Sequence, residues 1–443
     1  MTYLNIFNQV LSKIHNKILS TIPASPLWRG IFTISTGTAI AQLIAIITTP
    51  IITRLYSPSD FGIVALFSAV LSILSVIGSL RYEFAIPLPH KDLDAAHITL
   101  LCIVLLFGIS VFFFIFMIIL SPIVIGFFQL GAISPYIWLL SIGLIGTGIY
   151  NIFNYWAIRK RDYSRIMYTK INQSLTGSLS KITMGFYHFG PLGLIIGEIL
   201  SQTTGIVTFL RSIWTKDKEN FKHLSFPGIE DVAKKYSRFP LFSLPSSIVN
   251  SITLQLPVFM LSYFYGFQVV GFYSLAYMVL VFPASFISSA MAQVFFGELS
   301  ILIHENINKI RNYYISTIKN LFFIGLSLFL LIAIIAPLGF PLIFGEIWKD
   351  AGWYCIPLSM VAASTFIVSS TSNLTTYGYN HWQLVWDLFR FTMVATVFLG
   401  GAHFHFSILV TLYIYGLMMV VTYVILYYLN LKAIGKLGGS LYE

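Results

Sequence analysis

Long apolar runs alternate with short charged segments from one end of the chain to the other. A helix that crosses a bilayer needs about 20 mostly apolar residues. Twelve stretches answer to that length: 30–53, 61–86, 95–120, 133–157, 165–188, 191–211, 239–264, 270–295, 314–337, 353–376, 383–401 and 405–429. The fifth, around Lys170 and Lys181, is the most polar of them. The pattern predicts an all-α integral membrane protein with twelve transmembrane helices.

The charges between the runs give a topology. If the N-terminus is cytoplasmic, twenty of the Lys and Arg residues fall in the loops and ends on that side, and only Arg54 and Lys349 fall on the other. Cytoplasmic segments of membrane proteins carry such an excess. An even helix count then returns the C-terminus to the cytoplasm. Hydrophobic residues make up 57% of the chain and charged residues 9%. A soluble domain carries about a quarter charged residues, so lipid has to be the solvent for most of this surface. The net charge of +10 follows the loops and does not suggest nucleic acid. Cys102 and Cys355 each lie inside an apolar run and offer neither a disulfide framework nor a metal spacing.

Residues 1–29 lack the continuous apolar core and small-residue cleavage site of a cleavable signal. Leu4, Phe7, Leu11, Ile14 and Ile18 recur at three and four, with Lys13, His15 and Lys17 among them. This predicts an amphipathic helix on the cytoplasmic membrane surface. The densely charged segment 212–238 sits mid-chain and divides two lobes of six helices, 30–211 and 239–430, with a cytoplasmic tail at 431–443. A faint repeat accompanies the division. Pro50, Leu55-Tyr56 and Phe61-Gly62 in the first half match Pro257, Ser262-Tyr263 and Val270-Gly271-Phe272 in the second. Six helices restore orientation, so this would be a parallel repeat of the kind found in two-lobed transporters.

The stretch Arg54-Leu55-Tyr56-Ser57-Pro58-Ser59-Asp60-Phe61-Gly62, followed by Leu80-Arg81-Tyr82-Glu83, Ala85-Ile86 and Pro87-Leu88-Pro89, resembles the Wzx-type oligosaccharide flippases. These belong to the polysaccharide transporter family of the MOP superfamily, which also holds the MATE exporters. The resemblance implies a MATE-like fold in which two lobes enclose a central cavity and alternate access. It also implies transfer of an undecaprenyl-diphosphate-linked oligosaccharide, of O-antigen or capsule type, from the cytoplasmic to the periplasmic leaflet of the bacterial inner membrane. Other polysaccharide-assembly membrane proteins would be partners, alongside membrane lipids. In its own chemistry Ser57-Pro58-Ser59-Asp60 is a tight turn whose Ser or Asp can cap the next helix. Arg81 and Glu83, at the cytoplasmic end of the second run, are read as a topological anchor or as a gate contact between lobes.

Charges at membrane depth are costly, on the order of 3 kcal/mol each at mid-helix, so they mark protein interiors or wet cavities. The candidates are Lys170, Lys181, Glu198, Lys319, Asp387 and Arg390. In the fifth run Lys170, Ser174, Gly177, Lys181, Gly185 and His188 share one helical face, opposite Ile171, Leu175, Leu179, Ile182 and Phe186. Two ammonium groups on such a face suit a diphosphate and acidic sugars, with the deeper Lys181 ranked first. Glu198 would carry a coupling proton or pair with Lys181. Asp387 and Arg390, three apart, can pair with each other, and Arg390 is otherwise a cavity cation. Lys319 is a cavity candidate that can also snorkel, and Arg54 is a headgroup anchor or a cation at the cavity mouth. Ser35, Thr38, Gln42 and Thr49 in the first run and Ser243, Ser247, Asn250 and Thr253 in the seventh are uncharged polar stripes that would line one cavity.

A cation-coupled multidrug exporter of the MATE type is the alternative, but it should favour acidic residues for cationic drugs. A glycan polymerase or ligase would need a large periplasmic loop, whereas the large loop here is on the cytoplasmic side. No Walker motif or zinc pattern is present, and no enzyme activity or cofactor is expected. A non-transporting scaffold would leave the polar fifth helix without purpose. The sequence is silent on the sugar and on whether H+ or Na+ is the coupling ion.

Overall fold

A computed structural model of the chain describes residues 26–128, 131–302, 307–372, 374, 377 and 379–440. The amphipathic segment expected at the N-terminus lies outside them as far as residue 25. The described residues contain helices and no strand. Thirteen α-helices follow in order: α1 (Pro26–Leu55), α2 (Pro58–Ile77), α3 (Asp92–Phe128), α4 (Ile137–Arg159), α5 (Tyr163–Phe186), α6 (Pro191–Ser212), the short α7 (Phe226–Lys235), α8 (Leu244–Tyr265), α9 (Phe267–Leu302), α10 (Ile307–Phe344), α11 (Lys349–Ser369), α12 (Asn380–His403) and α13 (Ile408–Ser440). Among the described residues eleven helical segments are long and apolar enough to cross a membrane. Helix α5, 24 residues long, has the length but not the apolarity, because Lys170, Lys181 and a series of Ser, Thr and Gln residues interrupt it.

Local chemistry sets the breaks between helices. Ser57 caps α2 through its hydroxyl to the Asp60 N–H (3.2 Å), and the Asp60 carboxylate accepts from the Ser57 N–H (2.8 Å). Pro58 occupies the first turn, where a missing N–H costs nothing. Helix α2 ends earlier than its apolar run suggests. Leu80 and Arg81 take left-handed backbone angles (φ 50° and 65°), which turn the chain before a short 3-10 segment, Tyr82–Ala85. Several helices instead outrun their apolar stretches. At 38 residues, α10 would be about 57 Å long at 1.5 Å per residue, well beyond a hydrocarbon core of about 30 Å.

The mid-chain charged segment is partly folded. Ser225 caps α7 by accepting from the Gly228 N–H (3.3 Å). Helix α7 packs on α3, and the Ser225 N–H donates to His97 Nε2 (3.1 Å). The Tyr82 hydroxyl donates to the Ala233 carbonyl (3.0 Å). Beside it Lys160 bridges Asp92 (2.6 Å) and Asp217 (3.2 Å). Burial works against the Lys160 charge, yet the hydrogen bonds and charges of the two carboxylates outweigh it and hold its ammonium above the ordinary range.

The two halves repeat one packing scheme. In the first, α1 packs on α5, α5 on α6, α4 on α6, α3 on α4 and α2 on α4. In the second, the corresponding pairs are α8 with α12, α12 with α13, α11 with α13, α10 with α11 and α9 with α11. The halves meet chiefly along α2 and α9, with further contacts of α2 with α8 and of α1 with α9 and α10.

At the end of the molecule that carries Pro58, this junction is tight and reciprocal. Gly62 is the fifth residue of α2 and Gly271 the fifth of α9. A Cβ on Gly62 would overlap the Phe267 carbonyl, and one on Gly271 would overlap the Pro58 carbonyl. Each glycine therefore seats the first residue of the other helix. The sequence similarity around Phe61-Gly62 and Val270-Gly271 is thus also a matching position in space. Fully buried Trp348 fills the same end: its Nε1–H donates to the Thr53 carbonyl (2.9 Å), and its ring meets Phe61 edge-on with centroids 4.8 Å apart.

Candidate functional site

The polar face of α5 is spent largely on helix packing. Ser174 donates to the Ala41 carbonyl (2.7 Å) and Thr48 to the Ser178 hydroxyl (3.0 Å). Gly177 lies against Ser201 of α6, and Gly185 against Leu55 and Tyr56. On the opposite face Leu179 and Phe186 are exposed, whereas Ile171 is buried.

The two lysines of α5 differ in their surroundings. Lys181 Nζ lies 2.7 Å from Glu198 Oε2, with both side chains partly exposed (23% and 33%). Its approach to α6 depends on Gly197, where a Cβ would press on the Lys181 side chain. Removing one member of this pair strands the other. The Lys181→Met and Glu198→Gln variants should each lower the thermal midpoint of the detergent-solubilised protein, whereas the double variant should recover most of the loss. The cost of each single change is about 2 kcal/mol, below the 3–5 kcal/mol of a fully buried pair because both groups are only partly buried. Equal midpoints for wild type and single variants would remove this structural role.

Lys170 has no carboxylate within ion-pair distance among the described residues. Its ammonium donates to the Thr38 hydroxyl (2.8 Å). One turn further along α1, about 6 Å away, Gln42 Nε2 donates to Ser285 Oγ of α9 (2.8 Å). Ser285 in turn lines a hollow of about 420 Å³, with Tyr277, Ser288, Thr365, Ser369 and Ser370 among its walls. Hollows that hold small ligands begin at about 300 Å³. A polar track therefore runs from Lys170 in the first half across the junction into the second.

The track ends at Arg390. Tyr277 and Thr365 also border a recess of about 40 Å³ lined by Thr253, Tyr273, Arg390, Tyr415 and Tyr423. Arg390 is 5% exposed and Asp387 5%. The guanidinium Nη2 contacts Asn250 Oδ1 (2.8 Å) and Asp387 Oδ1 (3.3 Å). It lies over the Trp386 ring at 4.7 Å, and Gln383 Nε2 donates to the other Asp387 oxygen (3.2 Å). The Arg390 Nε is buried with no hydrogen-bond partner among the described residues. Asn250 and Thr253 of the α8 stripe and Thr38 and Gln42 of the α1 stripe thus all border this one track.

The remaining candidates lie elsewhere. Lys319 is exposed on α10, three and four positions from exposed Phe322 and Phe323, which share its helical face. Arg54 reaches across the Pro58 end, where Nη2 donates to the Leu342 carbonyl (3.4 Å). Arg81 pairs with buried Glu83 (3.3 Å) and covers the Phe84 ring at 4.8 Å. Across that turn it is Tyr82 that reaches the mid-chain segment. Sequence reasoning missed the tyrosines of the recess, which come from two separate helices. The signal available was Tyr273 and Tyr277, one turn apart, whose rings stack at 5.8 Å.

Residues 51–352 match the model of a family described as polysaccharide biosynthesis protein. The chain belongs to that family. Similar relatives of this family member are the teichuronic acid biosynthesis protein TuaB of Bacillus subtilis (strain 168), 21% identical over 71% of the chain, and the succinoglycan biosynthesis transport protein ExoT of Rhizobium meliloti (strain 1021), 23% identical over 75% of it. The match spans 64% of the length of each relative. Among solved structures, an inward-facing multidrug resistance MATE family transporter of the MOP superfamily aligns with a TM-score of 0.66 and 15% identity, covering 92% of this chain and 95% of the other. A MOP superfamily transporter from Pyrococcus furiosus Vc1, whose description reports a reversed polarity of the binding pocket, aligns at 0.56 and 16% identity over 93% and 96%. This family member therefore has a MATE-like, multi-pass membrane fold. Of the two relatives, ExoT is described as a transport protein.

Proposed function

We propose that this protein moves an undecaprenyl-diphosphate-linked oligosaccharide from the cytoplasmic to the periplasmic leaflet of a bacterial inner membrane by alternating access. Twelve helices cross the bilayer, α5 among them, with both termini in the cytoplasm and the Pro58 end outside. The observation that carries this reading is the polar track with a cation at each end, Lys170 in one half and Arg390 in the other. A diphosphate is recognised by an unneutralised ammonium, which favours Lys170 over Lys181, whose charge Glu198 already answers. The sugar occupies the hollow beside Ser285, whose walls mix apolar side chains with hydroxyls, and the prenyl tail stays in lipid between the lobes. Rocking of the halves about the α2–α9 junction would expose the track to one leaflet at a time. A proton or a sodium ion would drive the cycle.

Deletion in the native host tests this. Undecaprenyl-linked repeat units should accumulate facing the cytoplasm, and surface polysaccharide should be lost. Unchanged surface glycan with altered drug tolerance would favour a cation-coupled multidrug exporter instead.

A further inference from the structure

The recess in the second half is more specific than a general cationic cavity. Arg390 has the means to keep its charge in a buried position: Asp387 balances it, Asn250 accepts from it and Trp386 covers one face. Those contacts leave Nε–H unmatched, and an unsatisfied buried donor is costly enough to call for a partner. Around it stand the side chains of Tyr273, Tyr277, Tyr415 and Tyr423 with Thr253 and Thr365. The Thr253 hydroxyl donates to the Val249 carbonyl (2.8 Å), which leaves the Tyr277 hydroxyl among the donors for a ligand. At about 40 Å³ the space holds a few waters or one small polar group, and not a sugar ring. The neighbouring hollow, about 420 Å³, is large enough for the ring, and Tyr277 and Thr365 border both spaces.

We infer that the transported glycan carries a carboxylate-bearing sugar, whose ring sits in the hollow and whose carboxylate enters the recess, accepting from Arg390 Nε–H and from the Tyr277 hydroxyl. This rests on the flippase reading above and adds the substrate class. A carboxylate matches a cluster that offers donors, and a charge-assisted hydrogen bond is the stronger kind. Asp387 is already committed to Gln383 and Arg390, and both guanidinium contacts use Nη2, so the incoming carboxylate meets a nitrogen that they leave unspent. A neutral sugar would fill the same hollow and leave Nε–H unmatched.

The test uses two probes on the full-length protein in detergent: polyprenyl-diphosphate-linked disaccharides identical except for a terminal glucuronate or glucose. Binding is read from tryptophan fluorescence, since Trp386 lies under the guanidinium. Wild type should bind the glucuronate probe about tenfold more tightly or better. Arg390→Lys keeps the charge beside Asp387 but loses the Nε–H, and should bring the ratio between the probes close to one. Tyr277→Phe should lower the ratio as well, and it carries the test if the arginine variant fails to fold. Equal binding of both probes by wild type, or an undiminished ratio in both variants, would overturn this inference and leave the flippase reading standing. Failure of wild type to bind either probe would overturn both.

Discussion

A leucine in place of Gly62 should stop transport and hold the protein open at the Pro58 end. The side chain would be driven into the Phe267 carbonyl, a backbone atom that cannot rotate aside, and Gly271 faces the Pro58 carbonyl in the same way. Helices α2 and α9 can accommodate the change only by parting. Overpacking of this kind costs about 1–3 kcal/mol, which shifts a two-state equilibrium about 5- to 150-fold. Spin labels at the exposed positions Ser59 and Gln268, one on each helix, should move apart in Gly62→Leu and in Gly271→Leu. Gly108→Leu is the control, because nothing lies within 4 Å of its Cβ position. Wild-type label distances together with full transport in Gly62→Leu would mean that this junction is not a gate.

The second large effect is expected at Lys170. Its ammonium meets only the Thr38 hydroxyl among the hydrogen bonds and ion pairs of the described residues, so it is the cation at membrane depth in the first half that remains available to an anion. Charge-assisted hydrogen bonds contribute about 1.5–3 kcal/mol, or about 10- to 150-fold in affinity. Lys170→Met should raise the half-saturating concentration of a diphosphate-linked substrate by that factor. It should leave the thermal midpoint at or above that of wild type, because a half-buried lone charge is itself a cost. Lys181→Met should do the opposite, lowering stability first. Unchanged half-saturation in Lys170→Met would remove the residue from the site.

Much of the fold was legible because lipid imposes it. With 9% charged residues, the chain has few places to put water-facing segments, and the apolar runs mark where the spans lie, though not where their helices end. Where the reading departs from the structure, local backbone chemistry is responsible. The run 61–86 is apolar enough to continue as helix, but Leu80 and Arg81 turn left-handed. Helix α7 was hidden in a charged stretch, although Ser225 followed by Pro227 is a helix-start signal. The polar stripes on α1 and α8 were visible by their spacing. That Thr38 meets Lys170, and that Asn250 meets Arg390, depends on how α5 and α12 pack against them, which no single-helix pattern encodes. The recess tyrosines come from α9 and α13, some 140 residues apart in sequence, so only the tertiary fold brings them together.

The most direct test is movement itself. The purified protein would be reconstituted into vesicles with a fluorescent undecaprenyl-diphosphate-linked oligosaccharide, and the leaflet occupied would be read by its accessibility to an impermeant glycosidase. Wild type should carry the glycan to the opposite leaflet, and the Lys170→Met and Gly62→Leu variants should slow that transfer severely. Transfer no faster with the wild-type protein than in protein-free vesicles, under proton and sodium gradients of either direction, would contradict it.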